Sequence, residues 1–141
     1  MPITEAHAGR SYPPRDPYEV PAPKIAEFAT ALGDDDNPRY RGEAPMAPPT
    51  FAAAIAERAW DQVFNDPELD LSLARIVHGD HRFTFFRPIR AGDVVIATVT
   101  IDKVRVRSGS ELISTTVDIT SRDGESFCTT QATFYHAREV A

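Results

Sequence analysis

The residues best equipped for chemistry fall into a few groups, and the spacing within each limits what it can do. Gly33 to Tyr40 reads G-D-D-D-N-P-R-Y, a run of carboxylates followed by Asn37 and Pro38. Such a cluster suits a ligand or catalytic site, yet the string is also turn chemistry, with Asn37 capping a short helix that begins at Pro38. The histidines are His7, His78, His81 and His136. His78 and His81 are three apart and so lie on opposite faces of a regular strand; they make a pair only if Gly79 bulges it. Lys103, Arg105 and Arg107 form a basic stripe at period two, and Arg82, Arg87 and Arg90 a second basic group. Each suits a phosphate or an acidic surface, or is simply a solvated strand face. Phe83, Phe85, Phe86, Phe127 and Phe134 line an apolar channel or fill the core.

The element that must position these groups is the stretch Ala47 to Phe64, A-P-P-T-F-A-A-A-I-A-E-R-A-W-D-Q-V-F. Two prolines stop earlier structure, Thr50 is a suitable N-cap, and the apolar run from Phe51 to Ala56 starts a helix without a polar face. Glu57, Arg58, Asp61 and Gln62 then supply a hydrated side while Ile55, Ala59 and Val63 continue the apolar stripe. A helix over Thr50 to Phe64 that enters the protein buried needs a layer around it, and the alanines let a sheet approach closely.

That layer follows in the chain. Strand signals begin at Ile76, Arg90 to Asp93 reads as a turn, and Val94 to Arg107, Glu111 to Thr120 and Ser126 to His136 make a meander. Ser108-Gly109 and Asp123-Gly124 are its hairpin turns. Val95, Ala97, Val99 and Ile101 are odd, whereas Val104 and Val106 are even, which predicts a bulge near Asp102 and Lys103. Nine of the twelve prolines lie between Pro13 and Pro49, so the first third is mostly extended. Within it, Lys24 to Leu32 reads as a helix with Ile25, Phe28, Ala29 and Leu32 on one face and Gly33 as C-cap, after a short strand at Tyr18 to Val20. The fold class is therefore α+β, with an antiparallel sheet wrapped around a central helix.

Composition sets the outer limits. At 141 residues, 42% hydrophobic and 26% charged, the chain reads as one ordinary globular domain spanning residues 1–141. A net charge of −6 argues against nucleic acid as a partner. Cys128 is the only cysteine, which points to a reducing compartment, and no apolar run is long enough to insert in a membrane. A soluble, cytoplasmic protein without metal or cofactor is expected.

Several strings together resemble the MaoC-like branch of the hot-dog superfamily, and within it the FAS1-like dehydratase N-terminal domains. They are G-R-S-Y-P-P from Gly9, Y-E-V from Tyr18, K-I-A-E-F-A-T-A-L-G-D from Lys24 and D-D-N-P-R-Y from Asp35. A-P-P-T-F from Ala47, V-H-G-D-H-R-F from Val77 and F-R-P-I-R-A-G-D up to Asp93 complete the series, in the expected order along most of the chain. The resemblance implies (R)-specific hydration or dehydration of acyl thioesters. Catalytic members carry Asp-x-Asn-Pro-x-His before the central helix, the Asp and His acting as an acid/base pair. Here Asp35 matches the aspartate, Asn37 and Pro38 match the Asn-Pro, and Tyr40 stands where the histidine belongs. Tyrosine is a poor base near neutral pH, so the resemblance implies a degenerate site.

In such a fold the amides of Phe51, Ala52 and Ala53, behind Thr50, would hold the thioester carbonyl with help from the helix dipole. Lys103, Arg105, Arg107, Arg82 and Arg87 would meet the phosphates of CoA or an acidic acyl carrier protein. The expectation is an accessory, non-catalytic hot-dog subunit that binds the acyl chain of an acyl-CoA or acyl carrier protein and pairs with a MaoC-like catalytic subunit or with itself. A self-sufficient hydratase or acyl-CoA thioesterase homodimer, with Asp35 or Glu57 as base, and a non-enzymatic acyl-thioester binder are the alternatives. Pairing also follows from physics, because a small curled sheet leaves an unpaired edge.

Overall fold

A computed structural model describes residues 2–34 and 36–138 of the chain. The elements run β1 (Tyr18–Glu19), α1 (Ala22–Ala31), α2 (Phe51–Phe64), β2 (Ile76–Phe85), β3 (Val94–Arg107), β4 (Ser110–Thr120) and β5 (Ser126–Ala137). Short 3-10 turns at Glu5–His7, Pro38–Tyr40 and Leu73–Arg75 punctuate the connections. The strands form one antiparallel sheet in the order β1-β3-β4-β5-β2, curled around α2. No helix among the described residues is long and apolar enough to cross a membrane.

The α2 stripe is regular: Phe51, Ala52, Ile55, Ala56, Ala59, Trp60 and Val63 are buried at helical spacing against the sheet. Its partners are the inward residues Val99, Ile101 and Val104 of β3, Ile113 and Val117 of β4, and Ala132 and Phe134 of β5, all in one cluster. Inward parity on β3 changes between Ile101 and Val104. The register jumps there from Ile101↔Thr115 to Lys103↔Ser114, so Asp102 is the extra residue of a bulge, where the parity break predicted it. Gly109 and Gly124 take positive φ in the hairpin turns.

Some details differ from expectation. The first turn of α2 is not buried all round: Ala53 and Ala54 are half-buried and line a cavity. Helix α1 begins two residues early, because Pro23 falls in the first turn, where its missing N–H costs nothing. Ile25 and Ala29 are buried and Phe28 packs on Phe51 at 5.3 Å between ring centroids, but Leu32 is 54% exposed. Leu32 sits at the C-cap, with αR backbone, where the chain is already turning away.

The crossover from α2 to β2 is pinned at both ends. Asp66 accepts from Arg10 at 2.9 Å and from Tyr12 at 2.6 Å, which also anchors the N-terminal segment. Further on, Arg138 donates to the carbonyls of Asp70 and Leu69, and Ser72 N donates to His136 Nε2 at 3.0 Å.

Candidate functional site

The loop ahead of α2 is built as a cap. Asn37 accepts from the amide of Arg39 at 3.0 Å and donates to Asp34 Oδ2 at 3.4 Å, and Pro38 opens the 3-10 turn that follows. Asn37 thus has a structural task that its sequence position alone explains. Tyr40 closes the turn half-buried, its ring packed against the core. Asp35, the remaining candidate in this loop, lies outside the described residues.

The amides at the start of α2 are not free. Phe51 N donates to Pro48 O at 2.9 Å, Ala52 N to Pro49 O at 3.3 Å and Ala53 N to Thr50 O at 3.0 Å. Thr50 itself has helical backbone, and its side chain makes no capping bond. Pro48 to Thr50 already form a turn, and that turn satisfies the donors which a bare N-terminus would have offered. A thioester oxygen here would have to displace one of these bonds, the 3.3 Å bond of Ala52 being the longest.

A cavity of about 450 Å³ opens on the exposed flank of α2. Ala53, Ala54, Trp60 and Phe64 of α2 line it together with Phe28, Leu73, Ile76, His78 and Phe134. Its surface is predominantly apolar, and its size falls in the range of small-molecule pockets. Glu57 borders it and also borders an adjoining hollow of about 280 Å³ that holds Lys24, Arg58 and Tyr18. The Arg58 guanidinium lies 4.9 Å above the Tyr18 ring.

The two strand histidines meet beside this cavity. On β2, His78 pairs with Phe134 but His81 pairs with Ala132, so three residues of β2 span two of β5. The bulge falls at Gly79 and Asp80, and it returns both imidazoles to the concave face, 4.9 Å apart between centroids and tilted by 32°. Trp60 meets His78 at 5.6 Å and His81 at 5.4 Å, and Phe83 stacks on His81 at 4.1 Å. Burial first, then the neighbouring His78, pushes the His81 imidazole below its ordinary value.

Gly79 is where it is because the Tyr135 ring lies against it: a Cβ there would fall 2.3 Å from Tyr135 Cε2. Gly79→Val is expected to destabilise the fold by about 1–3 kcal/mol through overpacking, with Tyr135→Ala relieving most of that loss. A denaturant double-mutant cycle measures the coupling.

The basic candidates lie elsewhere. Lys103, Arg105 and Arg107 are exposed on the face of β3 opposite the buried Val104, away from the cavity, and Arg82 is exposed on β2 beside Asp102 and Gln131. Arg87 lies 4.4 Å over the Phe127 ring and pairs with Glu125 at 3.3 Å. It borders a smaller hollow of about 330 Å³ with Phe85, Phe86 and Pro49. Lys24 and Arg58 line the adjoining hollow, and their helical positions carry no stripe that sequence reasoning would single out. Trp60 was equally silent, since an aromatic on an apolar stripe reads as core.

The other titratable groups have structural roles. His7 Nδ1 accepts the Thr4 amide at 2.9 Å in a capping box. Burial pushes the Cys128 thiol up to about 11, so it is no nucleophile at neutral pH. His136 is buried and accepts from Ser72, which fixes its Nε2 as unprotonated. Burial, Arg138 and Arg75 push its pKa down against the pull of Glu111, whose carboxylate lies 3.6 Å from Nδ1. A depressed folded-state histidine stabilises fully above the ordinary imidazole value of about 6.5 and loses that contribution as pH falls below it. Tm is therefore expected to fall from pH 7.5 to 5.5, and His136→Gln to flatten that slope, by at most about 1.4 kcal/mol per pH unit for one proton.

Residues 6–130 match the FAS1-like, dehydratase domain region. A UPF0336 protein of Cutibacterium acnes is 46% identical over 138 residues, covering 98% of this chain and 96% of that protein. The C-terminally truncated HadBC (3R-hydroxyacyl-ACP dehydratase) complex from Mycobacterium tuberculosis contains a chain similar at TM-score 0.79 and 29% identity, covering 92% of this chain and 96% of that one. A MaoC-like dehydratase is similar at TM-score 0.82 and 26% identity over 95% of this chain, which spans only 43% of that longer protein. A helix cradled by a curled five-stranded sheet, together with a family match across most of its length, shows that this chain belongs to the FAS1-like dehydratase domain family, on the hot-dog fold of the MaoC-like dehydratases.

Proposed function

We propose that this chain is the accessory subunit of an (R)-specific 3-hydroxyacyl-thioester dehydratase or enoyl hydratase. It houses the acyl chain of a CoA or acyl-carrier-protein thioester and leaves the main acid/base pair to a hot-dog partner. One observation carries the reading: the apolar cavity lies beside the open sheet edge, while the position of the expected loop histidine is occupied by Tyr40, packed on the core. Tyrosine lacks the near-neutral ordinary pKa that suits histidine to proton transfer.

The edge strand supports a partner. β2 pairs only with β5, and the apolar side chains along and beside it are exposed: Val77 at 65%, Phe86 at 62% and Leu73 at 66%. A second hot-dog sheet added edge to edge satisfies the backbone and covers these side chains. The HadBC neighbour is a complex by name, and the MaoC-like dehydratase is more than twice this chain's length. The acyl chain fills the apolar cavity, and the thioester arm crosses the Glu57 ridge toward Lys24 and Arg58, which suit a phosphate. The lone, buried cysteine suits a reducing cytoplasm.

Purification of the untagged chain from its native host, followed by native mass spectrometry, tests the assignment. A stoichiometric MaoC-like partner, with an acyl-CoA retained by the assembly, is the expected result; a monomer that binds no acyl-CoA refutes it. A second reading rests on Glu57, a carboxylate bordering both hollows: a homodimeric hydratase or thioesterase with Glu57 as base. Hydrolysis or hydration by the chain alone that vanishes in Glu57→Gln favours that reading.

A further inference from the structure

We propose that His78, on the wall of the apolar cavity, and His81 behind it form a proton-carrying imidazole pair, which this subunit contributes beside the partner's own acid/base groups to the chemistry of the shared cavity. The proposal rests on the accessory-subunit reading for its setting and on the β2 bulge for its geometry.

The bulge at Gly79 and Asp80 is what makes a pair possible, because a regular strand would place these side chains on opposite sides of the sheet. With it, the rings lie 4.9 Å apart on the concave face, and His78 borders the apolar cavity. His81 is the inner member. It is stacked on Phe83 and edged by Trp60, and its Nε2 is buried without a hydrogen-bond partner among the described residues. His81 also lines a polar hollow with Asp80, Arg82 and Asp102, and a ring nitrogen with no protein partner beside an imidazole that borders the cavity can share a proton with it. The Trp60 indole is held in turn by its Nε1–H bond to Thr115 Oγ1 at 3.1 Å, so the pair sits on a fixed support.

Burial and the neighbouring His78 disfavour the charged form of His81, so His81 enters the cycle neutral. In hydration of an enoyl thioester, neutral His78, which borders the cavity, takes a proton from water as its oxygen bonds to C3. The C2=C3 π electrons shift to C2, which takes a proton from the partner's acid. The proton on His78, shared with His81, then returns to the partner's conjugate base, leaving all groups as they began and one water added across the double bond. Dehydration runs the same steps in reverse.

The test uses the copurified assembly and trans-2-butenoyl-CoA, following loss of the enoyl absorbance. His78→Gln and His81→Gln are each expected to assemble normally and to lower kcat by about 10²–10⁴-fold while KM moves little. His78→Gln should also remove the acidic limb of the pH–kcat profile, and His81→Gln should shift it. Variants that keep the parent kcat and pH–kcat profile overturn the proposal while leaving the accessory role intact. If the parent assembly shows no turnover, the dehydratase reading fails instead, and the pair is tested by imidazole NMR of the chain alone. Linked titration of His78 and His81 in steps about one pH unit or more apart, collapsing to one step in His78→Gln, supports it. Independent single-step titrations overturn it.

Discussion

Replacing Arg138 with methionine is expected to cost about 3–5 kcal/mol of folding stability, the penalty for leaving one member of a buried ion pair uncompensated. Glu111 is 3% exposed, and its Oε1 accepts from Arg138 Nε, while its Oε2 has no partner among the described residues. His136 lies 3.6 Å away but is held neutral by burial, so it does not take over the charge. The same guanidinium donates to the carbonyls of Leu69 and Asp70. Asp70 has φ of 50°, the only positive φ on a described non-glycine residue, and such backbone persists only where its surroundings impose it. Loss of Arg138 therefore loosens residues 69–72, immediately before Leu73 and Ile76 of the cavity wall, and weakened acyl-CoA binding should accompany the fall in stability. Glu111→Met combined with Arg138→Met should recover most of the lost stability, because an apolar pair carries no desolvation penalty. Denaturant titration of the two single variants and the double variant measures all three terms.

Trp60→Ala should be comparably severe, at about 3–5 kcal/mol, since it empties a large buried site whose walls cannot collapse. Trp60 is 4% exposed and meets Phe134 edge-on at 5.2 Å as well as both imidazoles. Trp60→Phe separates packing from hydrogen bonding. It keeps most of the volume but removes the indole N–H, and Thr115 Oγ1 can still donate to Ala132 O at 3.3 Å. The expected cost of Trp60→Phe is about 0.5–1.5 kcal/mol, that of one hydrogen bond. Thermal denaturation orders the three proteins, and histidine NMR shifts report whether His78 and His81 stay paired once their support is gone.

Much of this architecture was legible because it follows from periodicity. The apolar stripe from Phe51 to Val63 has one helical solution, and the change from odd to even apolar positions after Ile101 has one strand solution, a bulge at Asp102. Asn37 followed by Pro38 announced the capped turn that the structure contains. What stayed hidden depends on pairing. Gly79 gives no parity signal, because β2 is an edge strand whose outward side chains need not be polar, and only its register against β5 reveals the bulge. Glu111 and Arg138 are far apart in sequence, so their pairing is a property of the sheet. The amides of Phe51 to Ala53 looked free because Pro48 and Pro49 read as breakers, whereas they wind the turn that satisfies those amides. The basic stripe on β3 stood out by spacing yet faces away from the cavity, and Lys24 and Arg58, which line the adjoining hollow, had no spacing to notice.

The central claim is that this hot-dog chain builds the acyl site of a dehydratase but does not turn over alone. The most direct measurement is the rate of trans-2-butenoyl-CoA hydration at equal protein concentration for the chain alone and for the assembly with its copurified partner. The account predicts turnover by the assembly and at least about a 10²-fold lower rate for the chain alone, the effect of lacking one positioned acid/base group. Equal turnover by the isolated chain, undiminished in Asp35→Asn, would contradict it.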